Sequence, residues 1–145
     1  MLKTAYKIIV QKPEKMRYAT VGDYYKTKKG WVIESVDLKN PDYNFLTHLH
    51  EFIELYMTQR HGISEPEIKK FDEWFEEQKA KGNFKRITGP GNHPKAPYHH
   101  EHVLASKIER LIAKELKVNY QQQNKMEDRM YRKIKRLINK NNNKE

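Results

Sequence analysis

The stretch from Arg17 to Val36, RYATVGDYYKTKKGWVIESV, decides the fold class of this chain. Its two ends, residues 17–25 and 31–36, are rich in β-branched and aromatic residues, and a polar turn, KTKKG, separates them. Successive side chains of a strand point to opposite faces, so one face of residues 31–36 could cover helices. Together with a similar run at residues 4–11, this pattern predicts short N-terminal antiparallel strands that form a hairpin.

The remainder of the chain has helical periodicity. Helices are predicted over about 43–61, 64–81, 98–116 and 124–139, with a rigid Pro- and Gly-rich loop at 83–97. The second helix has the clearest start, because Ser64 and Glu67 are spaced as a capping box. We therefore predict an α+β fold in which the strands pack on three to four α-helices. Residues 1–120 would form a single α+β domain, and 121–145 a basic amphipathic C-terminal helix and polar tail.

Composition excludes several classes of protein. The chain has 145 residues, enough for one domain, and it has no cysteine, which excludes thiol catalysis, disulfides and Cys-ligated zinc. The absence of a recognisable signal peptide or membrane-length apolar run predicts a cytoplasmic protein. The formal net charge of +10 predicts nucleic acid or an acidic host protein as a partner, although a lysine-rich genome alone would also produce this charge.

Three of the predicted helices carry polar residues within their apolar faces. His50 and Glu54 lie one turn apart on the first, Asp72 lies on the second, and Glu101 lies on the third, followed by His102. Burying a lone carboxylate is costly, so such groups need a basic side chain, a shared proton or a cation as a partner. A divalent metal held by these five residues would satisfy them together.

The donor types allow several metals. Imidazole with carboxylates suits Zn, Mn or Fe, while a subset dominated by oxygen ligands would suit Mg. Residues 50–54, HEFIE, have the chelating spacing of a zincin helix, and Glu51 occupies the position of a general base. Glu54 stands where that motif has a second histidine, so membership of the metallopeptidases does not follow. Ordinary hydrogen-bonded His–Glu pairs without a metal are the alternative.

Several short motifs share one pattern: YATVGDY at 18–24, HExxE at 50–54, RHGI at 60–63, FD and FE at 71–76, and PGxxPxAPYxxEH at 90–102. With them the chain, from about Arg17 to Tyr120, resembles a family of uncharacterised proteins associated with phages and prophages. The resemblance implies a shared fold and a phage setting with no reaction attached. It also singles out the same candidate residues together with Glu109. That family has acidic residues after the PG pair, where this chain has Asn92 and His93.

The C-terminal segment is strongly basic. Residues 124–145 contain eight Lys or Arg residues against three acidic ones, with Met, Ile and Leu at helical spacing. Such a helix can bind phosphates through its basic residues, or it can be a fourth core helix with a solvated basic face. The candidate nucleic-acid-binding residues are Arg129, Arg132, Lys133, Arg136 and Lys140.

Three functions compete. The first is a metal-binding protein, as an enzyme a metal-dependent hydrolase, in which the ion is held by His50, Glu54 and either Glu101 or His102. The second is a non-enzymatic phage accessory protein that binds nucleic acid or a host factor. The third is a Mg-dependent nucleotide pyrophosphatase using carboxylates of the first two helices, which leaves the N-terminal strands unexplained. The sequence leaves enzymatic activity open.

Overall fold

The computed structural model describes residues 4–144 and shows the predicted α+β fold. The strands are β1 (Tyr6–Gln11), β2 (Gly22–Thr27) and β3 (Gly30–Val36). The helices are α1 (Pro41–Arg60), α2 (Glu65–Ala80), α3 (His99–Glu115) and α4 (Tyr120–Asn142). Residues 1–3 of the predicted domain and residue 145 of the predicted C-terminal segment lie outside the described residues.

The three strands form one sheet with β3 in the centre. β2 and β3 form the predicted antiparallel hairpin, in which Tyr24 is paired with Ile33. Its turn requires glycine, because Gly30 has a φ of +124° and an added Cβ would lie 2.4 Å from the carbonyl oxygen of Ala5. β1 joins the other edge and runs parallel to β3, with Ile8 opposite Ile33. Residues 12–21 thus carry the chain to the far edge of the sheet before β2 begins.

Local sequence signals fix the ends of the first two helices. After α1, Gly62 has a φ of +72°, and the N–H of Ile63 donates to the carbonyl of Thr58 at 2.9 Å. This is the Schellman arrangement that ends many helices at glycine. α2 then begins with the predicted capping box, in which the Ser64 hydroxyl accepts from the Glu67 N–H at 3.3 Å and the Glu67 carboxylate accepts from Ser64. The predicted start of α2 is confirmed.

The chain divides into two compact units. Unit 1 contains residues 1–52 and 109–145, and unit 2 contains residues 53–108. Because the division falls inside α1 and α3, each of these continuous helices contributes to both units. No helix in the 4–144 range has the length and apolar character needed to cross a bilayer.

The core of unit 1 joins the sheet to α4. Its buried residues are Met16, Val36, Leu38, Tyr43, Met130 and Ile134. Since Met130 and Ile134 belong to α4, the C-terminal helix packs its apolar side against the end of β3 at Val36 and against residues before β2 and after β3. The boundary predicted between residues 120 and 121 falls at the first residue of α4, and an independent domain over residues 1–120 stays a prediction.

Aromatic packing organises unit 2. The His93 ring is 7% exposed and has ring centroids within 4.7–6.2 Å of four aromatic side chains, which belong to Phe71, Trp74, Phe75 and Phe84. These contacts hold the loop after α2 against that helix. The loop predicted at residues 83–97 therefore has a packed anchor at His93, which follows a single 3-10 turn over Pro90–Asn92.

Candidate metal centre

Helix α1 places the first two candidate ligands. His50 and Glu54 lie four residues apart in α1, which puts their side chains one above the other on the same face. Both are largely buried, with exposed fractions of 9% and 6%. A histidine and a carboxylate inside the protein need polar partners, and each finds one on α3.

In unit 2, Glu54 is paired with His102 of α3. The Nδ1 atom of His102 lies 2.9 Å from Oε2 of Glu54. The ring of His102 in turn lies against Gly91, where an added Cβ would come within 2.5 Å of the ring's Cγ atom. Gly91 is therefore required sterically, because any side chain at this position of the loop would displace the His102 ring.

In unit 1, His50 is paired with Glu109 of α3. Nδ1 of His50 lies 2.9 Å from Oε2 of Glu109, and the amide of Gln123 donates to Oε1 of Glu109 at 3.2 Å. The same amide donates to Glu127 at 3.0 Å. Burial, reinforced by repulsion from Glu109, raises the pKa of Glu127 to about 7, while the Gln123 hydrogen bond acts in the opposite direction. α4 thus supplies the outer contacts of the His50–Glu109 pair.

One ligand atom from each of His50, Glu54 and His102 lies within 4.8 Å of the other two, so the three residues could hold a metal ion. Two imidazoles and one carboxylate form this group. Zn and Fe are bound by such a donor set in proteins, whereas Mg prefers oxygen ligands. A metal-bound histidine usually donates a hydrogen bond from its second ring nitrogen to a carboxylate, and Glu109 is placed to accept such a bond from His50.

Two other predicted ligands have their own partners in unit 2. Asp72 accepts a hydrogen bond from the Tyr98 hydroxyl at 2.7 Å, and Glu101 lies 2.9 Å from Nδ1 of His61. Burial raises the pKa of Asp72 to about 7, and the nearby Glu54 and Glu76 carboxylates contribute in the same direction. The Tyr98 hydrogen bond opposes this shift. Asp72 is therefore a group that exchanges a proton near neutral pH.

The predicted general base, Glu51, lies elsewhere on α1. A Cβ added at Gly22 would lie 2.6 Å from Oε1 of Glu51, which places this carboxylate against strand β2. Within residues 4–144 the grouped ligands are His50, Glu54 and His102, and Glu51 is not one of them. A residue next to His50 in a helix projects about 100° away from it, and the role of Glu51 as a general base stays a prediction.

Comparisons of the chain with protein-family models, with curated proteins and with solved structures find no match. Function is therefore inferred from the geometry of these residues.

Several residues of the site escaped the sequence prediction. His61 lies seven residues after Glu54, two helical turns along the same face, but it was assigned to the helix end. Tyr98 precedes the His-rich run and gives no signal of its own. Gln123 lies before the predicted start of the last helix, and no pattern links it to Glu109. Extending the helical periodicity by two turns beyond Glu54 would have found His61.

The predicted nucleic-acid-binding residues lie together on α4. All five are exposed in the structure, and their spacing confines them to one side of the helix. They are Arg129, Arg132, Lys133, Arg136 and Lys140. α4 therefore has a solvated basic face as well as an apolar face packed in unit 1.

Proposed function

We propose that this chain is a metal-dependent hydrolase in which His50, Glu54 and His102 bind a divalent transition-metal ion. The observation that supports the proposal is the approach of these three ligand atoms to within 4.8 Å of one another. Zinc is the first choice, with Mn and Fe as alternatives, because two of the three donors are imidazole nitrogens. The resemblance to phage-associated proteins supports a phage-encoded enzyme that acts in the host cytoplasm.

Hydrolysis is favoured by the number of ligands. Catalytic zinc sites commonly have three protein ligands and keep the remaining position for water, whose pKa the ion lowers to about 7. Structural zinc sites instead use four protein ligands. The Glu109 carboxylate would fix the orientation of His50 and increase the basicity of its ring.

Asp72 is better suited than Glu51 to transfer the proton. Its carboxyl group is held by Tyr98, is affected by the charge of Glu54, and has a pKa of about 7. A general base works best when its pKa is near the working pH. The Glu51 carboxylate, in contrast, lies against Gly22. We therefore propose Asp72 as a candidate for the acid–base role, with Glu51 as the alternative.

Adding zinc to metal-free protein should raise its melting temperature. At free zinc ten times the dissociation constant, binding to the folded state adds about 1.4 kcal/mol to the free energy of unfolding. Glu54→Ala should remove this response, and with it any zinc-dependent turnover of phosphate-ester and peptide substrates. Thermal unfolding with Zn, Mn, Ni and Mg provides the measurement.

Glu51→Gln is the matched control, since Glu51 lies on the same helix but outside the three grouped ligands. This variant should keep the full zinc response, and its loss there would instead identify Glu51 as a ligand. Melting curves that none of the four metals changes would contradict the proposed site.

A second candidate function is nucleic-acid binding by α4. Its support is the exposed basic face, on a chain whose net charge is +10. This function is compatible with the first, because the five basic residues are not among the grouped ligands. Nucleic-acid binding by α4 would also be the function of the chain if it is a phage accessory protein without enzymatic activity.

If the basic face binds duplex DNA, affinity should fall steeply with salt. Each neutralised phosphate contributes about 0.9 to the slope of log K against log salt. Lys133→Ala combined with Arg136→Ala should therefore reduce the slope by roughly 1.8, as measured by fluorescence anisotropy. Lys69→Ala with Lys70→Ala, an equal loss of charge on α2, should leave the slope unchanged. If both double variants reduced the slope equally, the salt dependence would reflect the net charge of the chain and not a binding face on α4.

A further inference from the structure

We propose a second metal-binding position in unit 2, formed by Glu101 and His61 with His100 as a further ligand. The sequence prediction placed Glu101 in one shared site, which the neighbouring histidines including His100 could complete, and did not include His61. This position is a separate site for a divalent transition-metal ion, and it does not require occupation of the His50–Glu54–His102 group.

The buried carboxylate of Glu101 is the central observation. Glu101 is 5% exposed, and its Oε1 atom accepts from Nδ1 of His61 at 2.9 Å. Its other oxygen, Oε2, is buried and has no hydrogen-bond partner among the residues described. A buried charged oxygen without a partner costs several kcal/mol, so this side chain has unused capacity to bind a cation.

The His61 imidazole contacts this carboxylate, and the His100 ring is its neighbour. The rings of His61 and His100 have centroids 6.5 Å apart and are tilted by 37°. The His61 side chain is 41% exposed and His100 is exposed, so an ion can enter from solvent. Zn–N bonds of about 2.1 Å place a ligating ring's centre roughly 3.2 Å from the ion, and the tetrahedral angle of zinc then puts two such centres about 5.2 Å apart. The exposed His100 side chain therefore has to turn on binding, bringing the two ring centres closer by about 1.3 Å.

The helix geometry separates this position from the first site. Glu101 and His102 are consecutive in α3, so their side chains project about 100° apart. His102 contacts Glu54, whereas Glu101 contacts His61, which follows the last residue of α1. Within the described chain Glu101, His61 and His100 do not have three ligand atoms within 4.8 Å of one another, so His100 has to turn toward the carboxylate when an ion binds. Imidazole nitrogens with one carboxylate favour Zn, Co or Ni over Mg.

The number of Co²⁺ ions bound per chain tests the proposal, with visible absorption as the signal. Wild-type protein should bind two ions, and Glu101→Gln and His61→Ala should each bind one. His99→Asn is the matched control, because this ring lies in the same first turn of α3 but contacts the Gly91 carbonyl. That variant should still bind two. His61 is partly exposed, so its variant should fold even if Glu101→Gln does not.

Comparison with Glu54→Gln separates this proposal from the proposed function. Glu54→Gln should keep the ion at Glu101 and His61 and lose the other. If the only ion bound is lost in Glu101→Gln and kept in Glu54→Gln, the second position stands and the proposed hydrolase site fails. A stoichiometry that His61→Ala leaves unchanged would overturn the second position, whatever the number of ions bound.

Discussion

Replacing Ile134 by Asp is expected to unfold unit 1. Ile134 is fully buried and belongs to the core cluster that includes Val36, Leu38 and Met130. A buried carboxyl group without a partner costs several kcal/mol, and together with the lost apolar burial this offsets most of the roughly 5–15 kcal/mol that stabilises an ordinary domain. The milder Ile134→Ala should lower the free energy of unfolding by about 2–4 kcal/mol, through lost burial and the cavity that remains. Far-UV circular dichroism with thermal unfolding measures both effects.

Lys133→Asp is the matched control, because Lys133 precedes Ile134 in α4 and is exposed. Its stability should change by about 0.5 kcal/mol or less. Truncation after residue 119 should have the same result as Ile134→Asp, since it exposes the apolar surface that α4 covers. A soluble fragment with an unchanged melting temperature would show instead that α4 is a removable binding arm.

Local signals were sufficient to predict most of the fold. The capping box at Ser64 and the glycine at 62 lie within a few residues of the helix ends that they define, so short-range chemistry determines them. The partner of β1, in contrast, cannot be predicted from such local signals. Alternation shows which side chains share a face, but the parallel pairing of Ile8 with Ile33 depends on the path of the chain between strands.

The start of α4 was predicted four residues too late for a physical reason. Asn119 caps the helix by accepting from the N–H of Gln122 at 3.0 Å, but the first turns are polar glutamines without apolar periodicity. The apolar periodicity therefore predicts a helix that begins after Gln123. In the structure it is 1% exposed and donates to two carboxylates.

The candidate site could be predicted in part. Helical periodicity gives the direction of a side chain about its own axis, which was enough to select His50, Glu54 and Glu101 as inward-facing residues. It does not give the register between two helices. The pairing of Glu54 with His102, and of Glu101 with His61, depends on how far α1 and α3 are displaced along each other within unit 2.

The second large effect is expected from Glu109→Gln, which should weaken metal binding 10–100-fold, about 1.4–2.8 kcal/mol. When Nδ1 of His50 donates to the Glu109 carboxylate, the ring is held with Nε2 as the metal-binding nitrogen, and the negative charge increases its basicity. Gln can still accept this hydrogen bond, so the variant removes the charge and keeps the contact. Competition with a chelating indicator measures the zinc dissociation constant.

Metal-free Glu109→Gln should be at least as stable as wild type, which distinguishes lost affinity from damaged folding. Repulsion from Glu109 helps to raise the pKa of Glu127, so neutralising Glu109 lowers that pKa and relieves the strain of two nearby buried carboxylates. Glu115→Gln provides the control, because it removes the same charge from an exposed position of α3 and should leave zinc affinity unchanged. Equal affinities in all three proteins would show that His50 binds no metal, or binds it without help from Glu109. A fall in affinity confined to Glu109→Gln would link α4 to the metal centre, since Gln123 holds Glu109 in place.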